Sequence, residues 1–417
     1  MPGTQGDTLK VIQNLPGSAR PSFRRGSPVL RGSSPDDSQV FLEGQEIPLL
    51  YHFGSLRSTF NSIFLDTVEY IPGNFSAYYG RATGGIIDVK VRDLSNDLFR
   101  GKVDFNFPYD ASLSFEGPIT KNLSVGMAFR RSYIDTFLPA ILNSVMSEDS
   151  NFSFNTVPRF YDYQFLVDYK LNKKNKFKLL FYGSLDNLKI LFENPTDDTE
   201  IRGEFSLRTM FHNLLLLHET KFSKIWRQKS SIQFGYQEFK TKTGPDLFFN
   251  LDLKKLSFRS TWEYDPLSWF GVRFGIDNNW NFVDISLDSP LRATEGENTL
   301  PFSSQDKFKF DSKLVQYQAS FFSIFSFQPF KGLIAEPSLR VDWYRQIKKW
   351  TLDPRFLIRY AISPKTEIKA GIGLYQQPPT EDQSSPEVGN KELNPIRSLH
   401  TSLGLAQEIP SFGGFEI

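Results

Sequence analysis

Apolar and polar residues alternate along most of this chain with a period of two, as in Lys102-Val103-Asp104-Phe105-Asn106-Phe107 and Leu256-Ser257-Phe258-Arg259-Ser260-Thr261-Trp262-Glu263-Tyr264. Successive side chains of a strand point to opposite faces, so the pattern predicts strands with one apolar and one polar face. Strands are expected near 99–107, 110–117, 122–131, 159–171, 176–189, 206–222, 226–241, 250–264, 270–285, 307–328, 332–346, 350–362, 366–376 and 397–409, about 14 in all. The connectors sort by length. Those after even-numbered strands are short, such as Asn172-Lys173-Lys174-Asn175 and Ser363-Pro364-Lys365, and every long one follows an odd strand: 132–158, 190–205, 286–306 and 377–396.

Residues 1–93 follow a different pattern. Leu9, Val11, Ile12 and Leu15 fit a short amphipathic helix ended by Pro16-Gly17, and the stretch to Ser27 is expected as loop, with Arg20, Arg24 and Arg25 solvated. Gln39 to Glu43 predicts a strand that turns at Glu43-Gly44 and returns through Gln45 to Pro48. A second short helix is expected over 56–64 and a strand over 65–71. Pro72-Gly73 and Gly84-Gly85 bracket an aromatic turn that leads into a β-branched strand, Ile86 to Val91. On pattern alone this is equally an ordinary α+β surface segment.

Composition decides what the alternation belongs to. The chain carries 41 Phe, 16 Tyr and 6 Trp, yet its mean hydropathy is −0.35. A transmembrane β-barrel reconciles the two, with an apolar, aromatic-girdled lipid face, a polar lumen, short periplasmic turns and long outer loops. No run reaches the ~20 apolar residues of a membrane-spanning helix, so insertion must be by strands. The absence of cysteine excludes disulfides and thiolate metal sites, and 48 basic against 47 acidic residues give no reason to expect nucleic acid.

Three phrases carry a family resemblance. The first is a loop at Arg31-Gly32 followed by the hairpin Val40-Phe41-Leu42-Glu43-Gly44, with Pro48 after it. The second runs from Pro72-Gly73 through Tyr79-Gly80-Arg81-Ala82-Thr83-Gly84-Gly85-Ile86-Ile87-Asp88-Val89. The third is Gly389-Asn390-Lys391-Glu392-Leu393-Asn394-Pro395. Together they resemble TonB-dependent outer-membrane receptors, with two departures: Glu43 stands where the family usually has Asp, and Ile71 precedes Pro72-Gly73 where many members carry Arg.

The resemblance implies a mostly β protein: an antiparallel transmembrane β-barrel, about 14 of roughly 22 strands present, with an N-terminal α/β plug domain. It divides the chain into a plug over 1–93 and a barrel over 94–417, each short of one end, with neither a signal sequence nor a TonB box. It places the complete protein in the cell outer membrane, in contact with lipid and a TonB-type energy transducer. The implied function is energy-coupled import of a large scarce ligand, whether siderophore, cobalamin, glycan or peptide, without covalent chemistry, catalytic residues or cofactor. A structural or adhesive barrel without coupled transport is the alternative. Ligand contacts are expected at the plug apex, from Ser33, Ser34, Asp36, Asp37, Tyr51 and His52, and the chain on its own is expected to aggregate.

Other chemistry is thin. His52, His212, His218 and His400 lack metal-ligand spacing, although His212 and His218 share a strand face; Asp36-Asp37 and Asp197-Asp198 lack that of a calcium loop. Tyr161, Tyr163 and Phe165 fit an aromatic girdle better than a sugar platform. A cation inside a barrel needs a counter-ion, so Arg31 or Arg81 is expected to meet a carboxylate, with Glu263, Glu336 and Asp342 as candidates.

Overall fold

A computed structural model describes residues 4, 6–19, 29–52, 57–138, 152–192, 202–290, 307–380, 383–384, 389–409 and 413–416. Its larger part is one antiparallel meander of 15 strands, each paired with its neighbour in sequence. These are β7 (Arg100–Asn106), β8 (Asp110–Thr120), β9 (Leu123–Ser132), β10 (Phe152–Lys170), β11 (Asn175–Phe192), β12 (Gly203–Lys221), β13 (Trp226–Thr243), β14 (Leu247–Leu267), β15 (Phe270–Pro290), β16 (Lys307–Phe327), β17 (Leu333–Tyr344), β18 (Lys349–Ser363), β19 (Thr366–Gln377), β20 (Ile396–Ile409) and β21 (Gly413–Glu416). All the strands expected from alternation are present, and β21 is one more. Several run longer than expected: β10 begins at Phe152, β11 reaches Phe192 and β15 reaches Pro290. The backbone ladder needs no apolar alternation, so pairing continues where the side-chain pattern fades. Because neighbours are antiparallel, all the long connectors leave from one rim.

The two faces of this sheet differ as alternation requires. On β9, Met127 and Phe129 are half exposed, while Ala128 and Arg130 are each 4% exposed. The outward row continues through Phe105, Phe115, Phe165, Phe181, Leu214, Leu216, Phe234, Phe282 and Phe321. Such a belt suits a hydrocarbon solvent.

The N-terminal part contains a four-stranded mixed sheet in the order β4 (Gln45–Glu46), β3 (Gln39–Leu42), β6 (Ile86–Val91), β5 (Leu65–Ile71), with β3 and β6 parallel. The hairpin turn is made as the sequence predicts, with Glu43 and Gly44 both at positive φ, 54° and 82°. The helix expected over 7–15 is a 3₁₀ turn, Leu9–Asn14. A short ladder between β1 (Ser18–Ala19) and β2 (Val29–Leu30) interrupts the expected loop, in which Arg20, Arg24 and Arg25 lie outside the described residues. The helix expected over 56–64 is reduced to a 3₁₀ turn, Ser62–Phe64. Polar side chains there bond elsewhere: Ser58 donates its N–H and hydroxyl to Asp7, and Thr59 its hydroxyl to Leu49 O.

The large sheet curls around this unit, and the two share a core. Leu42, Phe60, Phe64, Ile87 and Val89 of the inner unit cluster with Leu166, Leu180, Phe211, Leu215 and Leu217 from β10 to β12. The lumen face is therefore not uniformly polar; it is apolar where the inner unit packs. Leu215 is fully buried and its neighbour Leu216 is 42% exposed. Leu215→Ala should cost about 2–5 kcal/mol of stability, as buried leucines do, and Leu216→Ala less than half as much, measured by urea unfolding in detergent micelles. Equal losses would contradict the register of β12.

Candidate functional site

The aromatic turn from Phe75 to Arg81 lies among inward-pointing arginines. Arg259 on β14 donates to the carbonyls of Gly44 and Tyr78, and its guanidinium sits 4.2 Å over the Tyr78 ring. Arg340 on β17 reaches Ala77 O, and Arg355 on β18 donates to Ser76 O and Tyr79 O, both at 2.8 Å. Gly80 makes the approach possible, because a Cβ there would overlap the guanidinium of Arg340.

Asp277 on β15 sits in the middle of this group. It takes Arg81 at 2.9 Å and Arg259 and Arg340 at 3.1 Å. Glu46 binds the other side of Arg81 at 2.8 Å, together with Lys255. Burial alone would raise the Glu46 pKa, but Arg81 and Lys255 outweigh it and hold it at about 2. The expectation for Arg81 thus holds in kind, while its partners are Asp277 and Glu46. Among the expected candidates, Asp342 pairs with Arg340, and Glu263 pairs with Arg227 and Arg273. Arg31 is exposed.

A second polar group fastens the opposite flank. His52 is bracketed by Asp186 at 2.5 Å and Asp162 at 3.1 Å and stacks on Phe160. Arg130 bonds Asp162 at 2.6 Å and donates to Ser58 O. Tyr51 is fully buried, donating its hydroxyl to Leu9 O, and His52 is 1% exposed. Neither lies at the apex surface expected of it; their polar atoms are satisfied inside, at the join between plug-like unit and sheet. At the opposite rim, Glu43 accepts from Val91 N–H and from Lys229 at 2.6 Å, a reach the longer side chain allows where the family usually has Asp.

The remaining apex residues form a turn facing the long-connector rim. Ser34 and Asp37 cap the 3₁₀ turn Pro35–Asp37, and Asp37 O accepts from Thr83 and Gly84 N–H. Ser33 donates to Leu30 O, and Asp36 O accepts from Gln377 of β19. Between this turn and the inner wall of β12 to β16 lies a cavity of about 320 Å³, lined by Asp36, Gln39, Glu46, Pro48 and Arg81 on one side and by Asn213, Gln233, Lys255, Asn281 and Gln316 on the other. The wall residues were not singled out from sequence. Their signal was there: Gln316 and Gln318, like Asn279 and Asn281, are polar side chains two apart on strands. His212 and His218 do share the outward face of β12, against Tyr163 and Asn175 respectively. Asp197 and Asp198 lie outside the described residues.

The curled antiparallel sheet that surrounds this plug-like unit is the part that the family comparison matches. The model of the TonB-dependent receptor-like β-barrel fits residues 147–415, more than half of the chain. The chain belongs to the TonB-dependent receptors. Similar solved structures include the siderophore receptor PirA from Pseudomonas aeruginosa (15% identity, TM-score 0.70, 100% of this chain and 71% of that one). The ferric enterobactin receptor PfeA from the same organism, in complex with BCV-L6, gives 15% identity and a TM-score of 0.71, covering 97% and 67%. The outer membrane transporter YddB from Escherichia coli gives 11%, 0.69, 98% and 66%. At such identities these show the fold, and this chain spans about two thirds of their length. No curated protein sequence matches it. As a TonB-dependent receptor it is an outer-membrane protein of a family of receptors and transporters.

Two predictions follow from the anchors. Asp277→Asn leaves three guanidiniums facing a neutral amide and should cost about 3–5 kcal/mol, the usual result of breaking a buried pair. Arg81→Met should cost less, because Arg259 and Arg340 still satisfy Asp277 and Lys255 still satisfies Glu46; urea midpoints give the order, and the reverse order would refute the arrangement. For His52, burial lowers the pKa but Asp186 and Asp162 outweigh it, raising it from 6.5 to about 8. The protonated form is thus favoured by folding, with a contribution of about 2 kcal/mol present below pH 6.5 and lost as pH rises through 8. The wild type should lose stability between pH 6.5 and 9 and His52→Gln should not; parallel pH profiles would contradict this.

Proposed function

We propose that this receptor imports a large, scarce ligand across the outer membrane, driven from the periplasm through a TonB-type transducer acting on a plug formed by residues 1–93 inside a barrel formed by 94–417. The observation that carries this reading is the chamber. It lies on the long-connector side of the plug, between the turn at Ser33, Ser34, Asp36 and Asp37 and the wall of β12 to β16. A ligand entering from outside meets the chamber first and is stopped by a plug anchored through side-chain contacts from β8 to β20. The division at 93/94 is supported by the end of β6 at Val91 and the start of β7 at Arg100. Binding and release need only contact and displacement, so no covalent step enters.

Passage then requires the plug to move, and the absence of native cysteine makes this testable. Gln45 donates to Ser231 Oγ of β13 at 2.8 Å. A Gln45→Cys/Ser231→Cys pair should lock plug to wall. In cells carrying the gene, some medium component should be depleted only when the gene is present, and its depletion should stop with a protonophore or with the oxidised lock and resume on reduction. Depletion indifferent to both treatments would overturn energised transport.

A further inference from the structure

The chamber is built from side-chain amides. Asn213 on β12, Gln233 and Gln237 on β13, Asn281 on β15, and Gln316 and Gln318 on β16 face it from the wall. Gln39 from the plug and Gln377 from β19 complete it. Its four charged members are two of each sign: Arg81 and Lys255 are both held by Glu46, Arg81 also by Asp277 beside the chamber, and Asp36 adds a carboxylate, so no cation is left over for an anion. Further toward the long-connector rim, the inner wall carries Val283, Ile285 and Phe310, which form an apolar cluster. A multiply charged ligand therefore finds no surplus counter-charge on this wall.

The amides are also incompletely used. Gln233 donates to Asn213 Oδ1 at 2.8 Å, and Asn281 donates to Gln316 Oε1 at 3.3 Å. Among the described residues, Asn213 Nδ2, Gln233 Oε1 and Asn281 Oδ1 have no partner, although Asn213 is 4% exposed and Gln233 is fully buried. Turning both amides of the Asn213–Gln233 pair end for end would still leave one donor and one acceptor over. Buried polar atoms are ordinarily satisfied, so an unused donor and acceptors on one wall call for a partner that can both give and accept hydrogen bonds.

We propose that the chamber takes an uncharged, polyhydroxylated ligand, the end of a neutral oligosaccharide. A hydroxyl donates and accepts at one atom, two vicinal hydroxyls match the paired oxygen and nitrogen of one amide, and amides two residues apart on a strand, about 7 Å, reach hydroxyls on opposite sides of a sugar ring. A cavity of about 320 Å³ is at the small end of ligand pockets and suits a terminal unit with the rest of the chain outside. A ferric tris-catecholate, which carries three negative charges, is excluded by the cancelled cations. This rests on the chamber being the ligand site, and the test separates the two ideas.

The full chain in detergent micelles, carrying Ser312→Cys, on the inner row of β16 between the chamber and the long-connector rim, labelled with an environment-sensitive fluorophore, is titrated with maltohexaose, cellohexaose, mannohexaose and chitohexaose, and separately with ferric tris-catecholate. At least one hexasaccharide should shift the fluorescence saturably, with an affinity little changed between 50 and 500 mM NaCl, as the absence of ion pairing requires. The pair Asn213→Leu/Gln233→Leu should weaken that binding at least tenfold while leaving the urea midpoint unchanged or raised, because it removes both members of an incompletely satisfied pair. A shift by ferric tris-catecholate and by none of the sugars would keep the chamber as the site and overturn the ligand class. Sugar binding undiminished in the double variant would also overturn the class. No response of the label to any of these ligands would count against the chamber itself.

Discussion

The inner unit is seated by the grip of barrel guanidiniums on the carbonyls of one short loop. Arg259, Arg340 and Arg355 each point inward from their strands, and each ends on backbone oxygens between Ser76 and Tyr79. A cation away from water is costly unless it is both paired and fully hydrogen-bonded. Here Asp277 supplies the charge for two of them, and the loop supplies the acceptors. The dependence is mutual. Without the barrel arginines the carbonyls of a tight aromatic turn would lack donors, and without the loop the arginines would lack acceptors, so neither surface is complete alone.

The strands were legible because a membrane barrel has two solvents, lipid outside and plug or water inside, and each residue in a strand faces one or the other. Met127 and Phe129 against Ala128 and Arg130 is that rule at single-residue resolution. The plug motifs were legible as local turns: Glu43-Gly44 requires two left-handed residues, and Gly80 requires the absence of a side chain. What could not be read were meetings across sequence. Asp277 lies 196 positions from Arg81, and nothing near it distinguishes it from other lumen carboxylates. Tyr51 and His52 are polar residues in a polar stretch, and only Asp162 and Asp186, more than 100 positions away, turn them into interior residues.

The chamber shows the same limit. Period-two polarity places Gln233 or Gln316 on the lumen side without saying whether it meets plug, water or ligand. That depends on the height of the plug, set by which strand positions its anchors reach. Arg355 and Asp277 seat the aromatic turn at one level, and Lys229 and Glu43 fix the hairpin at another. The gap left above Glu46 is the remainder.

The shared core on β10 to β12 divides the plug's circumference into two seams of different thermodynamic character. Along one, Phe64 and Ile87 meet Leu215 and Phe211, and water is no substitute for those contacts. Along the other, guanidiniums meet carbonyls and Asp277, contacts that are costly to break for as long as they stay away from water. The first seam weakens in the cold, as hydrophobic association does; the second responds to ionic strength where it is reached by solvent. The two seams therefore differ in what loosens them: cold acts on the aliphatic one, and salt acts on the arginine one wherever water reaches it.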